Sequence, residues 1–291
     1  VCGVKEQDRQ DPATAMMDRP NGCPLCGATA THVIERCGDV RTELCAGCGV
    51  AFLNPVPSLS ALGAHYDQGY YAEWITARQH SRRRLWRQRL RLVRSRRAGG
   101  DLLDVGCGDG GFLETAQASG FICAGTELSE YAAERVRRLW HIPVMTGPVR
   151  AIEWPVASFD VVTMWHVLEH LTDPRGDLAI VRRLLRPGGL LFVAVPNRRS
   201  ALFNGIYRLV KGSPPACYTP DERELHLFHF TPESLRGLLE ERGFRVVQVG
   251  MDVEDADWRK RWIDRAARWW CHVTGVNRSL TILAVAERPR D

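Results

Sequence analysis

The sequence predicts an α/β fold: a parallel sheet with helices on both faces, preceded by a small cysteine-bearing module. Three observations carry this. From Gly99 onward, apolar runs of strand length alternate with segments of helical spacing, the pattern of parallel strands joined by crossover helices. The first of those strands ends in Asp104 and runs straight into Gly106-Cys107-Gly108-Asp109-Gly110 and a helix. Ahead of the alternation stand two Cys-x-x-Cys pairs, Cys23/Cys26 and Cys45/Cys48, in a stretch with no long periodic helix.

Length and composition set the frame. The chain has 291 residues, room for one large domain and a small module. Its 45% hydrophobic and 25% charged content are ordinary for a globular protein. No apolar stretch approaches the roughly 18 residues needed to cross a bilayer. The N-terminal segment lacks the apolar core of a signal peptide, so a cytoplasmic location is expected. Net charge is +5, and Lys5, Lys211 and Lys260 are the only lysines among an arginine-rich set. That balance permits an acidic substrate or nucleic acid without requiring either.

Taken in order, residues 1–20 are polar and aperiodic and are expected to form a disordered tail. Residues 21–55 form the cysteine module, closed by Asn54-Pro55-Val56-Pro57, where each proline disfavours helix at the residue before it. Residues 56–100 read as a helical linker or lid. Its first half carries Tyr66, Tyr70, Tyr71 and Trp74; its second half is basic from Arg78 to Arg97, with Leu85, Trp86, Leu90, Leu92 and Val93 at helical spacing. Such a run grips phosphate or forms a solvated helix face. Gly99-Gly100 ends it. Strands are then expected at Leu102 to Val105, Phe121 to Thr126, near Val144, Phe159 to Met164 and Leu190 to Val195. Helices are expected from Phe112 to Ser119, from Ser129 to Trp140, and from Asp173-Pro174 to Pro187-Gly188-Gly189. An aromatic, proline-containing insertion at about 197–230 interrupts the alternation. Thr231-Pro232-Glu233-Ser234 restarts it, with Thr at the cap and Pro at the first helical position. The last two strands are expected at Val246 to Val249 and Leu280 to Ala286. Between them lies an aromatic and basic helix, 258–270, whose composition suits contact with a membrane surface, core packing or a dimer contact.

The cysteine spacing carries its own chemistry. Eighteen residues separate the two pairs, matching the four-cysteine pattern of a tetrahedral zinc site. Four thiolates leave no open coordination position, so the Zn²⁺ expected on Cys23, Cys26, Cys45 and Cys48 is structural. The glycine loop is the second chemical feature. Glycines allow a tight turn and a close approach of backbone to ligand, and the helix that follows presents free N–H groups. Glu127, at the end of the second strand, is placed to bind ribose hydroxyls. The third glycine, Gly110, comes one residue earlier than in the dinucleotide fingerprint, whose last position Gly111 does fill; the early glycine disfavours a nicotinamide or flavin cofactor.

Asp104 to Gly110, Glu127, Phe159-Asp160-Val161-Val162, His166-Val167-Leu168-Glu169-His170 and Leu185-Arg186-Pro187-Gly188-Gly189 occur in an order that resembles the successive motifs of class I S-adenosylmethionine-dependent methyltransferases. The resemblance implies a Rossmann-like, seven-stranded sheet whose last strand is antiparallel, filling 101–291. It implies S-adenosyl-L-methionine as cofactor, held by Asp104, Gly106, Cys107, Gly108, Gly110, Glu127 and the adjacent Leu128, with Tyr70 or Tyr71 closing over it. Trp165 and His166 are placed beside the transferred methyl group. One position departs from the family: Gly147-Pro148-Val149-Arg150 lacks the acid that many relatives use to bind the adenine amine.

The cysteine module followed by Phe52-Leu53-Asn54-Pro55-Val56-Pro57, His65-Tyr66-Asp67 and Tyr70-Tyr71 is similar to a bacterial methyltransferase group with an N-terminal zinc ribbon, associated with small molecules, sugars and cell-surface glycans. Glu224 to Pro232 and Leu238 to Phe244 resemble the same group. The resemblance implies methylation of an oxygen or carbon on a small-molecule, sugar or glycan acceptor. Alignment of the reacting groups supplies much of the acceleration, and a histidine serves as base. His226 resembles a histidine proposed as base in sugar C-methyltransferases, although Leu225 stands where those relatives have Glu; His166 is the other candidate. His170 and His229 are expected to pack or to hold loops. RNA base methylation and non-catalytic cofactor binding are the alternatives, the first opposed by the missing Asn-Pro-Pro-Tyr type motif. Oligomeric state stays open.

Overall fold

A computed structural model describes residues 16–17, 22–58, 62, 69, 79–200, 204–205, 207–209, 212, 215–219, 224–252, 269–270, 273 and 279–290. Tyr70, Tyr71 and all of 258–270 except Trp269 and Trp270 lie outside them, as does all of 1–20 except Met16 and Met17. Within the span expected as a tail, Met16–Met17 pairs antiparallel with Val56–Pro57.

The large sheet is built from seven strands: β4 (Gly100–Val105), β5 (Phe121–Glu127), β6 (Val144–Thr146), β7 (Phe159–Trp165), β8 (Leu185–Pro196), β10 (Arg245–Met251) and β11 (Thr281–Glu287). Their order is β10-β11-β8-β7-β4-β5-β6. The last strand, β11, runs antiparallel to both its neighbours, while β4 to β8 pair in parallel. This is the expected seven-stranded, Rossmann-like arrangement. The chain leaves β4 toward β5 and β6, then returns to lay β7 on the other side of β4. The carboxyl ends of β4 and β7 therefore form the topological switch point, where ligands bind in open α/β sheets.

Side-chain alternation along the strands feeds two cores, one on each face. Leu102, Val161 and Phe192 point to the face covered by α1 (Gln79–Arg96), α2 (Gly111–Gln117) and α3 (Glu130–Trp140). Their neighbours Leu103, Val162 and Val193 point to the face covered by α4 (Pro174–Leu184) and α5 (Pro232–Glu241). Fully buried side chains such as Leu102, Leu103, Phe112 and Leu113 each contribute about 1.5–3 kcal/mol by leaving water. The helix starts hold as the sequence predicts. Asp173 accepts a hydrogen bond from Gly176 N to cap α4, and Thr231 and Ser234 form a reciprocal capping box on α5.

One boundary differs. The helix expected to reach Pro187-Gly188-Gly189 stops at Leu184, and those three residues belong to β8 as a bulge. Leu185 is already extended and paired with Phe159. Gly188 takes the left-handed conformation, at φ +78°, while its N–H reaches Arg288 O at 2.8 Å. Pro187 has no N–H to donate, so a bulge suits it.

The N-terminal module is a small antiparallel sheet of β1 (Thr31–Cys37), β2 (Val40–Cys45) and β3 (Ala51–Asn54). A fourth strand, β9 (Phe228–His229), comes from the insertion nearly two hundred residues later and pairs with β3. The module and the insertion therefore share one sheet. Cys37 is disulfide-bonded, a pairing the cysteine spacing did not predict.

Candidate functional site

The cofactor side of the site is made by one contiguous stretch. Gly106, Gly108 and Gly110 all have positive φ, at 66°, 54° and 75°, a backbone that side-chain-bearing residues adopt at a cost. Space is as restrictive as backbone. A Cβ on Gly106 would lie 2.7 Å from Val167 Cγ2, and one on Gly110 would lie 2.7 Å from Val136 Cγ2. The loop is thus clamped between α3 and the turn after β7.

Two buried acids frame it. Glu127 accepts hydrogen bonds from Gly108 N at 2.9 Å and Ser129 N at 3.0 Å, which fixes its carboxylate against the loop. Asp104 accepts from Thr163 Oγ1 at 2.6 Å, across the switch point between β4 and β7. Burial pushes its carboxyl up to about 7, opposed by the Thr163 hydrogen bond and the Arg89 charge. Cys107 is buried, and burial pushes its thiol well up. Leu128 is partly buried against the face that carries α4 and α5. Where the adenine acid is missing, Arg150 turns away to Asp177 at 3.0 Å and Asp173 at 3.7 Å. The donor groups and acids that remain fit a cofactor bearing a ribose.

At the end of β7 the chain bends sharply. Trp165 is buried, its ring against Phe112 at 5.3 Å and beneath the Arg89 guanidinium at 4.6 Å, and its Nε1 has no hydrogen-bond partner. The next residue, His166, has φ +57°. A left-handed non-glycine residue at such a place is a strained conformation of the kind that clusters at functional sites. Its Nδ1 approaches Glu169 Oε1 at 3.3 Å, and His170 Nε2 lies 4.0 Å from the same oxygen. His170 Nδ1 meets Leu225 O at 2.7 Å. His226 stacks at an angle on His170, ring centroids 4.9 Å apart, and His229 lies edge-on to His226 at 6.2 Å.

The electrostatics follow from burial and crowding. Burial raises the Glu169 carboxyl, but the His166 hydrogen bond and the charges of His170, His166 and His226 outweigh it and hold the group below its usual range. Burial lowers His170 and His226, and takes His229 down to about 3. Main-chain bonds fasten the insertion here: Leu227 N donates to Glu169 O at 2.8 Å, while Leu53 N donates to Leu227 O at 3.0 Å. His226 is therefore held between the cysteine module and the turn after β7.

The four module cysteines converge. Cys23 and Cys48 Sγ are 3.6 Å apart, Cys26 and Cys45 Sγ 3.5 Å, and all four lie within 4.8 Å of one another. A tetrahedron with metal–sulfur bonds of about 2.3 Å has edges of roughly 3.8 Å, so the cluster fits a small tetrahedral ion. Gly27 and Gly49 supply the left-handed turns after each pair, with N–H groups bonded to Cys23 O and Cys45 O.

The expected residues thus fall into three groups. Asp104, Gly106, Cys107, Gly108, Gly110, Glu127 and Leu128 lie along the end of β4, the loop and the end of β5; Trp165, His166 and His226 sit at or beside the turn after β7; Cys23, Cys26, Cys45 and Cys48 form the cluster. Tyr70 falls outside the described residues. Two further residues matter that the sequence did not assign. Glu169 is wholly buried at the centre of the histidines, and its spacing from His166 and His170 was the available signal. Arg89, one of many arginines in a basic run, is 2% exposed and pairs with Asp252 at 2.5 Å; nothing in the sequence separates it from its solvated neighbours.

Comparison with known proteins gives this geometry a family. A methyltransferase-domain family matches residues 77–249, more than half of the chain. The chain is similar to a ubiquinone biosynthesis O-methyltransferase of Thiobacillus denitrificans, 39% identical over 122 residues, covering 38% of this chain and 52% of that protein. It is also similar to the enzyme of that name from Caulobacter vibrioides, 35% identical over 105 residues, 33% of this chain and 41% of that protein. The match thus spans about half the length, or less, of these curated relatives. Among solved structures, an S-adenosylmethionine-dependent methyltransferase of Archaeoglobus fulgidus shares the fold with TM-score 0.51 at 19% identity, over 75% of this chain and 99% of that one. One from Thermotoga maritima does so with TM-score 0.51 at 20% identity, over 76% and 95%. The glycine loop lies at the switch point of the sheet these structures share, and the chain belongs to the methyltransferase-domain family.

Proposed function

We propose that this chain methylates an oxygen or carbon atom of a small-molecule, sugar or glycan acceptor. The observation that carries the reading is the half-buried His226, brought by the insertion to the turn after β7, where its ring meets that of His170. S-adenosyl-L-methionine supplies the electrophilic methyl group when bound. Asp104, the loop from Gly106 to Gly110, Glu127 and Leu128 would hold it, with the Glu127 carboxylate accepting from ribose hydroxyls. In-line attack needs the acceptor opposite the methyl group, and rigid placement of both partners supplies most of the rate. His166 and His226 stand on the acceptor side, where an imidazole takes the proton as the acceptor attacks. The names of the curated relatives support a small-molecule acceptor. The histidines gathered after β7 support an acceptor that gives up a proton as it attacks.

The cysteine cluster would hold one Zn²⁺ with a structural role, keeping β3 in place so that β9 and His226 are positioned. A cytoplasmic site of action is part of the same reading. The test is transfer of a labelled methyl group from S-adenosylmethionine to a panel of phenols, sugars, glycans and ribosomal RNA. Label in small acceptors or glycans is expected. Label confined to RNA, or transfer undiminished in a protein lacking both His166 and His226 imidazoles, would overturn it.

A further inference from the structure

Two groups of metal-ligating side chains occur among the described residues: the cysteine cluster, and Glu169 with His170 and His226. The second lies apart from the ribbon in chemistry and in place. Glu169 and His170 sit on the single 3-10 turn Leu168–His170 after β7, and His226 comes from the insertion. The candidate ligand atoms of the three lie within 4.8 Å of one another.

Three further observations point to a ligand there. Glu169 is 0% exposed, and its Oε2 has no hydrogen-bond partner. A carboxylate taken out of water costs several kcal/mol unless it is paired or coordinates a metal. The contact with His166 Nδ1, at 3.3 Å, serves one of the two oxygens. Next, His170 Nδ1 is committed to the Leu225 carbonyl at 2.7 Å. The Nε2 of the same ring lies on the Glu169 side, 4.0 Å from Oε1; metal-ligating histidines are oriented through their other ring nitrogen in this way. Finally, His226 and His166 are only half-buried, so one side of the group opens toward the acceptor region. Two imidazoles with one carboxylate are a donor set for first-row divalent cations and leave coordination positions free.

We propose that Glu169, His170 and His226 bind a divalent first-row transition cation whose open positions face the acceptor. The proposal rests on the acceptor reading above only for what the ion does: it would bind the acceptor oxygen and favour its deprotonated form. His226 is then a ligand, and His166 is left as the imidazole that faces the acceptor. The competing account is a plain Glu169–His166 ion pair with no ion bound.

The test uses the full chain with its ribbon already loaded with zinc, titrated with Co²⁺ and followed by visible absorption and calorimetry. One equivalent of Co²⁺ is expected beyond the zinc, with weak d–d bands and no thiolate charge-transfer band. Glu169→Gln and His226→Gln should each weaken Co²⁺ binding by more than the ~10–100-fold that loss of an outer-shell partner costs, with zinc content unchanged as the check on folding. No Co²⁺ bound to the zinc-loaded protein, or an affinity unaltered in both variants, overturns the site. Methyl transfer measured in parallel separates the two readings. Co²⁺ binding without transfer to any small acceptor removes the acceptor reading and keeps the site; transfer without Co²⁺ binding does the reverse.

Discussion

The two halves of the site are built in opposite ways. The cofactor half is a continuous piece of chain, β4 through β5, whose loop, acids and helix are neighbours in sequence. The half proposed to face the acceptor is assembled from three distant segments: β3 of the ribbon, the turn after β7, and β9 of the insertion, joined by the bonds through Leu53, Leu227 and Glu169. A contiguous strand–loop–helix owes its geometry to local backbone preferences. The acceptor half depends on non-local pairing, so its integrity is only as good as the ribbon's. On the proposed reading, cofactor binding rests on a robust element and acceptor specificity on one that can be exchanged.

The largest expected effect on that contrast comes from Cys45→Ser. Cys45 is fully buried, and zinc supplies about 10–16 kcal/mol of apparent binding free energy in isolated zinc modules at neutral pH. Zinc content should fall from one equivalent toward zero, and amide protection should collapse at Leu227 and Phe228 while β4 stays protected. Unchanged hydrogen exchange at 225–230 would break the comparison. Next in size is Arg89→Met, which leaves Asp252 buried without its partner. A thermal or urea melt should show about 3–5 kcal/mol lost, with zinc content unaffected. A variant as stable as the parent would mean that α1 is not anchored through this pair. The smallest of the three in stability is Gly106→Ala. Its positive φ and the approach to Val167 should cost about 1–3 kcal/mol, and cofactor affinity should fall at least ~10-fold. Retained affinity would show that the loop tolerates a side chain where the clamp on Val167 forbids one.

How much the sequence revealed follows the same division. The placement of Asp104, the three loop glycines and Glu127 was legible because one strand–loop–helix unit and the strand after it encode it. So were the cysteines, whose spacing is itself the signal. The seven strands were legible from alternation, but the bulge at Pro187-Gly188-Gly189 was not. A Pro-Gly-Gly run reads as a stop, and only pairing of Leu185 with Phe159 turns it into strand. The pairing of β9 with β3 left no trace in either segment, because register between strands so far apart is set by packing. His226 was found by resemblance, yet Glu169 at its side was passed over. A buried carboxylate among histidines is visible only when the segments meet. Arg89 shows the same limit from the other side: one buried residue within a run of exposed arginines.

The central claim is that the loop at the switch point binds S-adenosylmethionine for transfer to a neighbouring acceptor. Calorimetric titration of the full chain with S-adenosylmethionine and with its demethylated product tests it most directly. One equivalent of either should bind, with affinity lost on Glu127→Ala and kept on His226→Gln, since Glu127 belongs to the cofactor half and His226 to the acceptor half. No detectable binding of either ligand to the correctly folded, zinc-loaded protein would contradict the account.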